Sequence, residues 1–148
     1  MWFRKKLTEL NSIEFYQILK LRIDTFVVEQ ERSYHELDDK DLEAVHVFHT
    51  NKDGEIDAYA RVFVEDEHLV FGRVVTAKSS RGKGLGGQLI REILSFCAEK
   101  WQERKLKLRH KNKLLNSMRN TALRQLVSPF YLSQHLTLPW FIRQIKLL

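Results

Sequence analysis

Seven residues between an apolar run and an amphipathic run constrain this chain more than any other segment. They read Arg81-Gly82-Lys83-Gly84-Leu85-Gly86-Gly87 and hold four of the chain's six glycines. Glycine lets the backbone adopt positive φ, and the first turn of a helix presents unpaired N–H groups at the positive end of its dipole. The segment therefore predicts an anion site, with phosphate as the expected ligand.

A tight strand-to-helix corner also uses glycine for close packing, and this alternative stays open on the loop alone. The segment differs from a P-loop, because no Lys-Ser or Lys-Thr pair follows its last glycine. What distinguishes it is the pattern Arg-x-x-Gly-x-Gly directly after a predicted strand.

Composition places the chain among single-domain globular proteins. Its 148 residues are 43% hydrophobic and 30% charged, which is sufficient for one core. No apolar run approaches the roughly 20 residues that cross a bilayer, and the start shows no signal-peptide pattern, so we expect a cytoplasmic protein with no membrane partner. The single cysteine, Cys97, excludes an internal disulfide and a cysteine metal cage, and it continues a helical apolar pattern that predicts a core position rather than a reactive thiol.

Charge is distributed unevenly along the chain. The net charge is +6, but residues 1–100 carry −3 and residues 101–148 carry +9, with Glu103 as the one acid of the second part. A basic segment ordinarily suggests nucleic acid or an anionic surface.

The chain order of predicted elements indicates an α/β sandwich on a mostly antiparallel sheet. Asn11 and Glu14 form an N-terminal capping pattern for an amphipathic helix, and residues 22–30 predict a second short helix. An acidic loop follows over residues 34–41. Residues 1–10 predict a first strand that leads to a turn. Further predicted strands cover residues 44–49, 56–64, 69–76 and 105–109, and a helix covers residues 88–100.

Several spaced segments accompany the glycine loop between residues 2 and 110. They are Leu21-Arg22-x-x-x-Phe26-Val27-Val28-Glu29-Gln30, Tyr34-x-Glu36-Leu37-Asp38-x-x-Asp41, His46, Ala58-Tyr59-Ala60-Arg61 and Gly72-Arg73-Val74-Val75. In this order they resemble the ElaA-like branch of the GNAT superfamily of N-acetyltransferases. The resemblance implies an α+β fold over residues 1–110, in which helices flank a mixed, mostly antiparallel sheet. It places an acetyl-CoA loop between the fourth strand and the following helix.

The resemblance also implies acetyl-CoA as co-substrate, without a metal. The diphosphate would meet backbone N–H groups of Gly82, Lys83, Gly84, Leu85, Gly86 and Gly87, and the pantetheine arm would pair with Val74, Val75 and Thr76. Arg81 and Lys83 would supply positive charge. The side chain of Leu85 is expected to pack inward.

The implied reaction is attack of an amine, from a small molecule or a peptide, on the acetyl thioester. A backbone N–H near Val75 would stabilise the oxyanion. The candidate catalytic residues are Glu29 and His46, which would attract or deprotonate the amine, and Arg73, which would bind a substrate carboxylate or pair with an acid. Glu36, Asp38 and Asp41 are further candidates, and structural capping and ion pairing are the alternative for all these acids.

The C-terminal third departs from the family. The leaving thiolate is often protonated there by a tyrosine, and no matching segment follows Leu108. Codons can be chosen for Lys107 to Leu126 so that a frame two bases downstream encodes IEAQKQATEFYEEYGFTSV, the segment expected in the family. We hypothesise a shifted reading frame near Leu106.

In that case the basic charge follows from the frame, and we do not expect nucleic-acid binding. Residues 111–148 would then be an atypical, poorly packed segment. The alternative function is an inactive CoA-binding relic that lacks the acid segment, and a homodimer is left open.

Overall fold

The computed structural model describes residues 1–66, 68–100 and 106–108, the last three by their backbone. Its strands are β1 (Trp2–Lys6), β2 (Val45–Thr50), β3 (Ile56–Glu65), β4 (His68–Thr76) and β5 (Leu106–Leu108). Its α-helices are α1 (Ser12–Ile23), α2 (Lys40–Glu43) and α3 (Leu85–Lys100). Short 3-10 helices lie at Leu7–Glu9 and Lys78–Ser80, and a π-helix covers Asp24–Glu29.

One five-stranded sheet joins the strands in chain order. The pairs β1–β2, β2–β3 and β3–β4 are antiparallel, while β4 and β5 are parallel. The predicted mixed, mostly antiparallel sheet flanked by helices is therefore confirmed. The β5 register covers only Leu69, Val70 and Phe71 of β4, so the described part of β5 leaves the last five residues of β4 uncovered on that side.

Helices α1 and α3 cover opposite faces of the sheet. Arg4 of β1 binds Glu92 and Glu99 of α3, at 2.9 Å each, whereas the next residue, Lys5, binds Glu14 of α1 at 2.7 Å. Successive strand residues point to opposite faces, so the two helices lie on different sides. The core on the α1 side contains Ile18, Leu21, Phe26, Phe48, Ile56, Tyr59 and Val75.

Helix α1 begins where the sequence predicts. The Asn11 side chain accepts the backbone N–H of Glu14 at 2.8 Å, and the Glu14 carboxylate accepts the N–H of Asn11 at 3.0 Å. The second short helix predicted over residues 22–30 is present as the π-helix at Asp24–Glu29, and α1 continues directly into it. No glycine or proline interrupts the chain there, so nothing in the backbone favours a break.

Helix α3 starts three residues earlier than predicted, at Leu85 inside the glycine segment. Leu85 is buried, as predicted. Cys97 is also buried in the core, which confirms its predicted position, and burial raises the pKa of its thiol to about 12. Within the described ranges, no helix combines the length and apolar character needed to cross a membrane. The predictions for residues 111–148 lie outside the described residues.

Candidate active site

The glycine loop presents its backbone as the sequence predicts. Gly82 and Gly84 adopt φ values of 77° and 78°, a conformation that favours glycine. The first bond of α3 runs from the N–H of Gln88 to the carbonyl of Gly84, at 3.2 Å. The N–H groups of the preceding turn therefore have no acceptor within the helix, as at any helix start.

The edge of β4 that the described part of β5 leaves uncovered lies beside this helix start. The N–H of Ala77 donates to the carbonyl of Asp57 at 2.8 Å, which makes this a hydrogen-bonded pair of the β3–β4 ladder. Because such pairs alternate, the backbone groups of Thr76 point away from β3, towards the uncovered side. A Cβ placed on Gly86 would lie 3.8 Å from the Thr76 side chain, so helix start and strand edge adjoin. Among the described residues, the N–H groups of a helix start thus lie beside the outward-facing backbone of Thr76.

Arg81 connects this edge to the π-helix. Its Nε donates to the carbonyl of Thr76 at 3.3 Å, and its Nη1 and Nη2 donate to the two carboxylate oxygens of Glu29 at 2.6 and 2.7 Å. The hydrogen bond from Arg81 holds the pKa of Glu29 below its ordinary value. Both side chains remain partly exposed, at 36% for Arg81 and 41% for Glu29, so an incoming anion can compete for the guanidinium. Lys83 is exposed in the same loop.

A charged cluster lies on the α1 side of the sheet, formed by Arg22, Arg61, Arg73, Glu36, Asp38 and Asp41. Its centre is Arg22, which is completely buried. Arg22 donates to both carboxylate oxygens of Asp41, at 2.9 and 3.0 Å, and from Nε to Glu36 at 2.7 Å. Burial alone raises the pKa of Asp41, but the hydrogen bonds and charges of Arg22 and Arg61 outweigh it and leave this pKa below its ordinary value.

The other two arginines extend the cluster towards the surface. Arg61 binds both oxygens of Asp38 at 2.7 Å and one oxygen of Asp41 at 2.9 Å. Arg73 donates from Nε to Glu36 at 2.9 Å and from Nη2 to Asp38 at 3.4 Å. Three arginines therefore bind the carboxylates of the acidic segment. This arrangement matches the alternative in which these acids form structural ion pairs.

Arg73 occupies an irregular point of β4. Its φ is 54°, an uncommon conformation for a residue other than glycine, and the β3–β4 register shifts between Tyr59 and Arg61 at this level. A β-bulge places one extra residue in a strand and redirects a side chain. Arg73 is thus turned towards the cluster immediately before the edge formed by residues 74–76.

His46 is enclosed rather than presented to solvent. Its ring is 1% exposed, with Nδ1 2.8 Å from the Tyr59 hydroxyl and Nε2 3.1 Å from the Asp41 carbonyl. Burial lowers the pKa of His46, which favours the neutral ring. His46 contacts Asp41 and Tyr59, and in this conformation neither ring nitrogen is free to bind the substrate amine.

The predicted site residues fall into two groups. Glu29 joins the cofactor loop through Arg81, whereas Arg73 and His46 belong to the charged cluster. Sequence reasoning assigned no role to Arg22 or Arg61. One signal could have indicated Arg22: it directly follows Leu21 on the side of α1 that packs against the sheet. An unpaired buried charge is costly, so an arginine at such a position requires acidic partners.

A family model described as the acetyltransferase (GNAT) family matches residues 11–119. The chain belongs to this family. Protein ElaA of Escherichia coli K12 is 35% identical to it over 102 residues, which cover 66% of each chain. The chain therefore spans about two thirds of the length of this curated relative.

Solved structures agree with this assignment. The crystal structure of Escherichia coli ElaA matches with a TM-score of 0.75 and 32% identity, covering 80% of this chain and 83% of that one. An acyl-CoA N-acyltransferase from Pseudomonas aeruginosa matches with a TM-score of 0.69 and 34% identity, covering 73% and 77%. These relatives support the ElaA-like branch that the spaced motifs indicate.

Proposed function

We propose that this GNAT protein is an N-acetyltransferase that moves the acetyl group of acetyl-CoA to an amine of a small molecule or peptide. One observation carries the proposal: the glycine loop and the start of α3 adjoin the uncovered edge of β4 at Thr76. An anion-binding helix start next to a strand edge that the described part of β5 does not cover suits a ligand that has both a diphosphate and an amide-bearing arm.

Two sets of residues at this site would bind different parts of acetyl-CoA. The backbone from Gly82 to Gly87 would hold the diphosphate, with Arg81 and Lys83 supplying charge. Val74, Val75 and Thr76 would hold the pantetheine arm as an added strand. Acetyl-CoA supplies an activated thioester when bound, and an N–H of the same edge would donate to the developing oxyanion.

Glu29 is the proposed group that attracts the amine. Its carboxylate is partly exposed and lies one side chain away from the β4 edge, through Arg81. When Arg81 turns to the diphosphate, this carboxylate becomes available to a cationic amine or to a proton from it. His46 is proposed as a positioning residue, because its contacts hold Asp41 and Tyr59 in the charged cluster. Arg73 is proposed to contact the acceptor.

Thiol release from acetyl-CoA, measured with a panel of primary amines, tests the proposal. Release that depends on both amine and protein is the expected result. The protein's own thiol should not contribute to the signal, because Cys97 is buried and its pKa is raised to about 12, so it reacts poorly with thiol reagents. Binding of acetyl-CoA without release would instead favour the inactive CoA-binding relic, and absence of both would contradict the proposal.

Three further expectations accompany this function. A cytoplasmic location, the absence of a membrane or nucleic-acid partner, and the homodimer left open by the sequence all stay predictions. Affinity for nucleic acid, measured at several salt concentrations, tests the nucleic-acid alternative, because binding to the phosphate backbone weakens steeply as the salt concentration rises.

A further inference from the structure

Arg73 differs from the other two arginines of the charged cluster in its exposure. The Arg22 side chain is fully buried and that of Arg61 is 5% exposed, whereas the Arg73 side chain is 23% exposed. Arg73 is therefore the member of the cluster that can meet a ligand without unfolding of its surroundings.

The carboxylates of the cluster are already neutralised. Arg22 takes both oxygens of Asp41 and Arg61 takes both oxygens of Asp38. One oxygen of Glu36 accepts from Arg22 and Arg73, and the other accepts the hydroxyl of Tyr34. These acids are consequently poor partners for an amine, and the three arginines balance the three carboxylates in charge.

The guanidinium of Arg73 retains unused donors. Nε and Nη2 bind Glu36, and the remaining contact, from Nη2 to Asp38, is long at 3.4 Å. Among the described residues, Nη1 has no hydrogen-bond partner. The Tyr34 ring lies 5.5 Å from the guanidinium carbon and restricts its motion. The outer edge, formed by Nη1 and Nη2, is thus oriented, and a carboxylate that binds both nitrogens would replace the long Nη2 contact to Asp38.

The position of this edge is set by the backbone. Arg73 holds a φ of 54° at the bulge that immediately precedes the β4 edge. Uncommon backbone conformations of this kind persist where the surroundings fix them, and they concentrate at functional sites. A cation is therefore fixed next to the place assigned to the thioester, on the side of the sheet that carries α1.

We propose that the acceptor carries a carboxylate as well as the reacting amine, and that the outer edge of the Arg73 guanidinium binds this carboxylate. The inference rests on the proposed function and narrows its substrate class to amino acids and peptides with a nearby acid group. A fork of two N–H donors matches the planar carboxylate, so the contact selects this group by shape as well as charge.

A length series of acceptors tests the inference. Glycine, β-alanine, 4-aminobutyrate and 6-aminohexanoate are compared with their primary amides and with the corresponding aminoalkylphosphonates, each as an acceptor of the acetyl group. For at least one length, we expect kcat/KM for the acid to exceed that for the amide by about tenfold or more, as for a charged hydrogen-bond pair. Equal use of acids and amides, or preference for phosphonates, overturns the inference.

The variant Arg73→Gln is expected to abolish the preference for acids, and Arg73→Lys to retain part of it. Arg91→Gln is the matched control, because Arg91 is exposed on α3 and has no hydrogen bond among the described residues. Calorimetric binding of acetyl-CoA by each variant separates loss of the acceptor contact from misfolding and from failure of the proposed function. If acetyl-CoA binds and no acceptor reacts, the affinities of the N-acetylated acids and of the N-acetylated amides for the CoA complex are compared. Tighter binding of the acids is then the expected result, and equal affinities overturn the inference.

Discussion

Arg81 of the glycine loop and Glu29 of the π-helix are joined by two hydrogen bonds of 2.6 and 2.7 Å between residues far apart in sequence. The same Arg81 also donates to the carbonyl of Thr76, at the edge of β4. One side chain thereby connects the proposed cofactor loop, the strand edge and the proposed amine-binding carboxylate. Acetyl-CoA and Glu29 would compete for it.

The variant Glu29→Gln is expected to bind acetyl-CoA more tightly and to turn over more slowly. Removing the carboxylate frees Arg81 for the diphosphate, and exposed pairs of this kind contribute little, so we expect Kd to fall by a factor of about two to five. Loss of the group that attracts the amine should lower kcat by about tenfold or more. Calorimetry and thiol release measure the two effects.

Glu43→Gln serves as the control, because Glu43 is exposed at the end of α2. It should change neither quantity. Weaker acetyl-CoA binding in Glu29→Gln would show that Glu29 holds the loop in its binding conformation instead of competing for Arg81.

Replacement of Arg22 by methionine is expected to destabilise the fold strongly. It leaves Asp41 and one oxygen of Glu36 buried without their main partner, and breaking a buried pair in this way costs about 3 to 5 kcal/mol. Urea unfolding followed by circular dichroism measures the change in the free energy of unfolding. Arg91→Met, on the exposed side of α3, should change it by no more than about 0.5 kcal/mol, and equal effects of the two substitutions would contradict this account.

Local patterns predicted most of the fold because their causes lie within a few residues. Asn11 and Glu14 are three positions apart and form the capping contacts of α1. The glycines at 82 and 84 supply the positive φ values that the loop requires. Elements whose causes are this local could be placed to within a few residues.

Long-range pairs could not be predicted in the same way. Arg22 and Asp41 are separated by 19 residues and meet only because α1 and α2 pack on the same side of the sheet. Arg81 and Glu29 are separated by 52 residues. The bulge at Arg73 depends on the β3–β4 register, and the sequence contains no glycine at that position to signal its positive φ.

Lowering the pH from 7.5 to 5 should reduce stability through His46. Burial keeps the folded-state pKa of this ring below its unfolded value, near 6.5, although Asp41 opposes the shift and Arg22 and Arg61 assist it. Below about pH 6.5 the unfolded chain binds a proton that the folded chain does not, so the free energy of unfolding declines as pH falls towards the folded-state pKa. The decline is at most about 1.4 kcal/mol per pH unit for this one proton.

The variant His46→Gln should lose this part of the pH dependence, whereas His35→Gln, at an exposed position, should retain it. Asp41 contributes little to this difference, because its folded-state pKa is lowered and its contribution to stability is lost only below about pH 5, as the unfolded chain begins to bind the proton. Urea midpoints at pH 7.5, 6.5, 5.5 and 5 measure the difference. Parallel curves for the wild type and His46→Gln would rule out this role of the neutral ring.

The hypothesis of a shifted frame concerns residues beyond those that the structure describes. From Lys107, the coding DNA read two bases downstream is expected to encode IEAQKQATEFYEEYGFTSV. Resequencing of the gene measures this directly. Codons that do not encode this segment would remove the hypothesis, and the +9 charge of residues 101–148 would then need another explanation.

Calorimetric titration of the full chain with acetyl-CoA tests the central claim most directly. We expect saturable binding at one site. In Gly84→Ala, where φ is 78°, we expect binding weakened by about tenfold, since the strain of a left-handed alanine displaces the loop. Gly54→Ala is the matched control, because Gly54 also has a positive φ, of 81°, but lies in the turn between β2 and β3; it should bind as the wild type does. No heat with acetyl-CoA would contradict both the transferase and the CoA-binding alternative.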